Sequence, residues 1–130
     1  MQRPTTIRLR RSLFEEATEI VGREYGSDLA LDEIARRVAS SRRQLQRAYT
    51  EVGGTTFRTH LTQVRMERAA DLLSSHLLTV REVARRVGYR QPAQFAKAFR
   101  RQFGVAPSDF RAGRYGGARG EAPDARARAA

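Results

Sequence analysis

The chain has 130 residues, 40% of them hydrophobic, and carries 25 Lys and Arg against 14 Asp and Glu for a net charge of +11. That length allows one domain, or two very small lobes sharing an element. The charge points to a polyanionic partner, nucleic acid ahead of an anionic membrane surface. Cysteine is absent, which excludes disulfide scaffolds, thiolate zinc sites and cysteine catalysis. No apolar run approaches the ~18 residues of a bilayer span, and the N-terminus shows no signal-peptide core. A cytoplasmic protein without membrane contact is expected.

Residues 1–11 are polar and basic and read as a flexible arm. From Ser12, a candidate N-cap, Leu13, Phe14, Ala17, Ile20, Val21 and Tyr25 recur at helical spacing. Glu15, Glu16 and Glu19 lie on the wet face, and Gly26 marks the stop. Next, Leu31, Ile34, Ala35 and Val38 place an apolar stripe on a two-turn helix. Ala39-Ser40 makes a turn, and Ser41 with Gln44 forms a capping box for a second helix. Its Leu45, Ala48, Tyr49 and Val52 face inward and Arg42, Arg43, Gln46 and Arg47 outward, before Gly53-Gly54. Residues 12–54 thus form one subdomain.

A long linker helix follows within residues 55–75, running from about Thr56 to Ser74 with an apolar stripe of Phe57, Leu61, Val64, Ala69, Leu72 and Leu73. The second subdomain takes residues 76–111. Thr79 and Glu82 form another capping box, Val80, Val83, Ala84 and Val87 repeat the first stripe, and Gly88 takes the turn. Pro92 opens the next helix, whose Phe95, Ala98, Phe99 and Phe103 face inward. Gln91, Gln94, Lys97, Arg100 and Arg101 remain outside, and Pro107 starts a last short helix. Residues 112–130 are rich in Gly, Ala and Arg without periodicity and read as a disordered basic tail.

The two subdomains are copies of one unit. Glu33 to Val38 (EIARRV) match Glu82 to Val87 (EVARRV) at an offset of 49; after the turn the offset is 50, pairing Leu45 with Phe95, Arg47 with Lys97, Tyr49 with Phe99 and Gly54 with Gly104. No strand-period alternation appears. The fold class is therefore all-α: two helix-turn-helix subdomains on a long linker helix, about seven helices. A linker of nineteen residues rises about 28 Å, near the ~34 Å repeat of major grooves on one side of B-DNA. Arginine, lysine and glutamine also carry the donor patterns that suit guanine and adenine edges.

With IAxxV in the turn unit, SRRQLQRAY before Gly54, VRMERAADLL in the linker, then VREVARRVGY and FAKAFRRQFGVAPSDFR, the chain resembles the DNA-binding domain of bacterial AraC/XylS-family transcription regulators over about Leu13 to Arg111. The resemblance implies a sequence-specific regulator bound as a monomer to double-stranded DNA, with its two recognition helices in adjacent major grooves. By position it assigns base reading to Arg43, Gln46 and Arg47, and to Gln91, Ala93, Gln94 and Lys97, of which Ala93 offers only a methyl. Phosphate contacts are expected from Arg42, Arg90, Arg100 and Arg101. The chain departs from the family pattern at three places. Ala39 replaces a turn glycine, Pro92-Ala93 stand where a polar residue is usual, and Ala106 replaces a capping serine worth ~1 kcal/mol.

Other groups have a plainer reading beside the sharper one. Arg36, Arg37, Arg85 and Arg86 divide evenly between phosphate contacts and a solvated face. Arg65 reads as an ion-pair partner of Asp71 or Glu33. His60 and His76 have no carboxylate at metal spacing and read as surface histidines, so neither metal nor cofactor is expected. Tyr25, Tyr49 and Phe57 read as core. Glu15, Glu16 and Glu19 are a wet helix face or, alternatively, a patch for RNA polymerase. Rival readings are a nonspecific nucleoid or architectural DNA binder and an RNA-polymerase-binding adaptor. An enzyme is not expected, for no nucleophile–base pair or phosphate loop is found.

Overall fold

The computed structural model describes residues 4–113, which form seven α-helices and no strand. In chain order these are α1 (Pro4–Glu24), α2 (Leu31–Arg37), α3 (Arg42–Ala48), α4 (Phe57–Ser75), α5 (Val80–Arg86), α6 (Pro92–Phe103) and α7 (Pro107–Arg111). The all-α expectation holds. The chain divides into two compact units between Leu61 and Thr62, inside α4. The first turn of α4 thus belongs with the first unit and the rest with the second.

In the first unit α1 packs on α2 and α3. Leu13, Ala17, Ile20 and Val21 are buried, as are Ile34, Ala35, Leu45, Ala48, Tyr49 and Leu61. The 3.6-residue period of α1 supplies the first four. The end of α2 is fixed by a two-pronged pair in which Arg37 Nη1 and Nη2 donate to Glu24 Oε1 and Oε2 at 2.8 and 2.6 Å. That bond, the largest influence on it, holds the Glu24 carboxyl below its usual range. Arg37 is therefore engaged with α1.

Two features of this unit differ from the sequence reading. First, α1 begins at Pro4, so residues 4–11 are helix rather than arm, and Ser12 lies inside the helix and not at its cap. Arg10 is ion-paired with Glu51, which ties these polar first turns to the far end of the unit. Second, α3 continues into a π-helical turn, Tyr49–Gly53, closed by Gly54 at φ 64°. The Tyr49 ring is buried there, edge-on to Phe14 at 5.2 Å and to Phe57 at 6.0 Å. Its hydroxyl is hydrogen-bonded to His60 Nδ1 at 3.0 Å. His60 is thus a half-buried partner of the core and not a surface histidine. His76 is exposed, at φ 59° just past α4.

In the second unit α6 packs on α5 and α7. Phe95, Phe99 and Phe103 are buried in one row along α6, and Phe110 of α7 meets Phe99 edge-on at 5.3 Å. From α4, Met66, Ala69, Ala70 and Leu73 are buried. Met66 and Ala70 therefore lie in the core, whereas the expected Val64 and Leu72 stay partly exposed. Arg111 Nε donates to Leu73 O at 3.2 Å, fixing α7 to the end of α4. The expected tail, residues 112–130, lies from 114 onward outside the described residues.

Candidate nucleic-acid interface

Each unit presents its second helix through the same turn. In the first, Ala39 N donates to Arg36 O at 3.1 Å and Ser40 N to Ala35 O at 2.8 Å. In the second, Gly88 N donates to Arg85 O at 3.1 Å and Tyr89 N to Ala84 O at 2.9 Å. Both turns need a left-handed residue, Ala39 at φ 54° and Gly88 at φ 101°. Alanine accepts that conformation only with strain, as its place in the turn implies.

The helix starts differ. Ser41 Oγ accepts from Gln44 N at 3.1 Å, and Gln44 Oε1 accepts from Ser41 N at 3.4 Å and from Ser40 Oγ at 3.3 Å. The Gln44 carbonyl is therefore committed to the cap of α3. At the matching place, α6 starts on Pro92 after Gln91, with no side-chain cap. The amide of Gln94, one repeat after Gln44, is not held by a capping box.

On α3, Leu45 and Ala48 are fully buried, while Arg42, Arg43, Gln46 and Arg47 are all exposed. Arg43 and Arg47, one turn apart, share the side of the helix facing away from Leu45. Arg42 Nη1 lies 3.4 Å from Asp32 Oδ1, both side chains being well exposed. Such a surface pair is worth about 0–1 kcal/mol, so it yields readily to a stronger anion. Around α6, Gln91, Ala93, Gln94, Lys97, Arg100 and Arg101 are exposed, as is Arg90 in the turn. Gln94, Lys97 and Arg101 recur at positions i, i+3 and i+7 and form a row opposite the buried phenylalanines. Within each unit the residues expected to contact DNA fall on one accessible side.

Behind α6 the turn is braced by three residues that the sequence reading did not join. The Arg65 guanidinium stands over the Tyr89 ring, 5.7 Å from its centre, and a Cβ on Gly88 would come within 2.8 Å of Arg65 Cζ. The Thr62 side chain hydrogen-bonds Tyr89, whose hydroxyl is pushed above its ordinary range by burial. Tyr89 in turn packs against Phe95 at 5.7 Å. The contact of the Arg65 guanidinium with the aromatic face, which the expectation of an acid partner did not include, is worth about 0.5–1 kcal/mol when partly exposed. The signal lay in the repeat, where Gly88-Tyr89 stand for Ala39-Ser40: the glycine makes room for the guanidinium and the tyrosine receives it.

A helix-turn-helix family model of AraC type matches residues 34–113 of this chain. The chain belongs to the AraC-type helix-turn-helix family. The Msm operon regulatory protein of Streptococcus mutans is 32% identical over 96 residues, 74% of this chain and 34% of that protein. Among solved structures, the C-terminal domain of AraT, a response regulator from Geobacillus stearothermophilus, is 32% identical with a TM-score of 0.75, covering 82% of this chain and 89% of that one. The DNA-binding domain of the global transcriptional factor AdpA, solved in complex with a target DNA, is 29% identical with a TM-score of 0.72, covering 76% and 89%. The chain spans about a third of the length of the curated relatives it matches. In this AraC-type chain, no described helix is long and apolar enough to cross a membrane.

Proposed function

We propose that this chain is a sequence-specific, double-stranded-DNA-binding transcription regulator in which one polypeptide places α3 and α6 in successive major grooves. Arg43, Gln46 and Arg47 read bases from α3, and Gln91, Gln94 and Lys97 from the start and outer face of α6. Arg42, Arg90, Arg100 and Arg101 hold phosphates. One observation carries the reading: two copies of the same turn each present a helix whose buried apolar row leaves an exposed row of arginine, lysine and amide side chains. These are the side chains that pair with guanine and adenine edges. The nineteen residues of α4 rise about 28 Å, and groove faces repeat about every 34 Å. Binding as a monomer to an asymmetric site follows from two unlike recognition helices on one chain. Family membership and the duplex-bound AdpA domain support the reading.

Selection of binding sites from a random duplex pool tests it. A consensus with two conserved blocks about one helical turn apart, titrating one chain per site, is expected. No consensus, with equal affinity for all duplexes, would favour a nonspecific architectural binder. A second partner is suggested by α1, where Glu15, Glu16 and Glu19 are all exposed and form an acidic face for RNA polymerase. Charge reversal of these three should abolish activated transcription while leaving duplex affinity intact.

A further inference from the structure

The two units fix the starts of their second helices by different means, and the difference decides what one glutamine can do. Gln44 and Gln94 stand at the same place in the repeat, at the offset of 50, each the third residue of its helix. The Gln44 carbonyl accepts from Ser41 N at 3.4 Å and from Ser40 Oγ at 3.3 Å and is spent on the cap of α3. The start of α6 is held without its glutamine. Pro92, the first residue, has no N–H to satisfy and a φ preset for the helix. The turn ahead of it is fixed by Tyr89, packed on Phe95 at 5.7 Å and lying under the Arg65 guanidinium. Gln94 is exposed, and no described residue holds its amide.

A free glutamine amide presents an acceptor and a donor side by side. Adenine is the base whose major-groove edge offers the complement, its N6 amino group to the carbonyl and its N7 to the amide nitrogen, so that two hydrogen bonds close the pair. A glutamine whose carbonyl is occupied keeps only donors, and N7 of adenine and of guanine accept from it alike. We propose that Gln94 reads an adenine from α6, and that Gln44, with its carbonyl tied into the cap of α3, distinguishes no base. The proposal rests on the DNA-binding reading above and names the base that one of its residues selects. Position favours Gln94 as well. It is the first polar side chain of α6, after Pro92 and Ala93, and heads the exposed row that continues through Lys97 and Arg101. Recognition helices meet base edges with their N-terminal residues.

The test selects sites from a random duplex pool with the full chain. Affinities of the wild-type, Gln94→Ala and Gln44→Ala chains are then read by fluorescence anisotropy on the selected duplex and on each single-base-pair change of it. Circular dichroism confirms that each variant is folded. The wild-type chain should require an A·T pair within one block and lose roughly 5- to 150-fold when it is replaced, the range of one bidentate base contact. Gln94→Ala should bind every base pair at that position alike, with the slope of log affinity against log salt unchanged, because no charge is lost. Adenine lacking its N7 acceptor (7-deazaadenine) placed there should weaken the wild-type chain and leave Gln94→Ala indifferent. Gln44→Ala should lower the urea midpoint and keep every base preference of the wild-type chain. If the wild-type chain selects no sequence, the sequence-reading function itself falls. If it selects one, the assignment of Gln94 alone is overturned where Gln94→Ala keeps every preference or relaxes a pair other than A·T. It is overturned equally where 7-deazaadenine acts alike on both chains, or where Gln44→Ala relaxes a preference of its own.

Discussion

The two turns make opposite predictions for the same pair of residues. At Gly88, φ 101°, alanine would adopt a left-handed backbone costing about 1–2 kcal/mol, offset by about 0.4–1 kcal/mol because the unfolded chain loses freedom. Its Cβ would also lie 2.8 Å from Arg65 Cζ, forcing the guanidinium off the Tyr89 ring and losing about 0.5–1 kcal/mol of cation–π attraction. Gly88→Ala should therefore destabilise by about 1–2 kcal/mol net. At Ala39, φ 54°, the left-handed strain is already present, and Ala39→Gly should stabilise by about 0.5 kcal/mol after the unfolded-state term. Urea unfolding measures both, with an unchanged m-value showing that stability alone has moved. Combining Gly88→Ala with Arg65→Ala separates the two contributions, because without the guanidinium only backbone strain remains. A coupling of about 0.5–1 kcal/mol is expected from that cycle. Zero coupling, or both single substitutions shifting stability the same way, would refute the reasoning.

Thr79→Ala removes the hydroxyl that accepts from Glu82 N at 3.0 Å and should cost about 1 kcal/mol in urea unfolding, with Ala106→Ser gaining up to a similar amount at the uncapped start of α7. Phe99→Ala, in the row Phe95, Phe99 and Phe103, should cost about 3–5 kcal/mol and leave the chain largely unfolded at 37 °C by circular dichroism. His60 is held below its ordinary pKa by burial. Below about pH 6.5 the unfolded chain therefore binds a proton that the folded chain resists, and stability falls as pH drops from there toward the folded value. Melting temperatures at pH 7.5 and 5.5 should fall further for the wild-type chain than for His60→Gln; an equal fall in both would remove His60 from the account.

What the sequence made legible was local chemistry. The capping boxes at Ser41–Gln44 and Thr79–Glu82 form as their spacing requires, and Pro92 and Pro107 open their helices. The exposed rows of α3 and α6 were readable because a short helix with one buried row leaves the other positions outside. Long-range pairing was not readable. The first turns of α1 carry Thr5, Thr6, Arg8 and Arg11 with no apolar stripe, and Arg10 finds Glu51 forty-one positions away. Nor does spacing show that α3 ends in a π-turn, which joins Tyr49 to His60, or that α4 turns Met66 and Ala70 inward.

The central claim is that the outer side of the exposed rows reads bases, and Arg47 tests it most directly. It is exposed on α3, with the buried Leu45 and Ala48 on the inner side. Affinities of wild-type and Arg47→Ala chains are compared on a selected duplex and on a scrambled one at the same salt. The account predicts a loss of about 1–3 kcal/mol on the selected duplex, with discrimination relaxed at one base pair and little change on the scrambled one. An equal loss on both would mean that Arg47 only touches phosphate, and base reading by α3 would be contradicted.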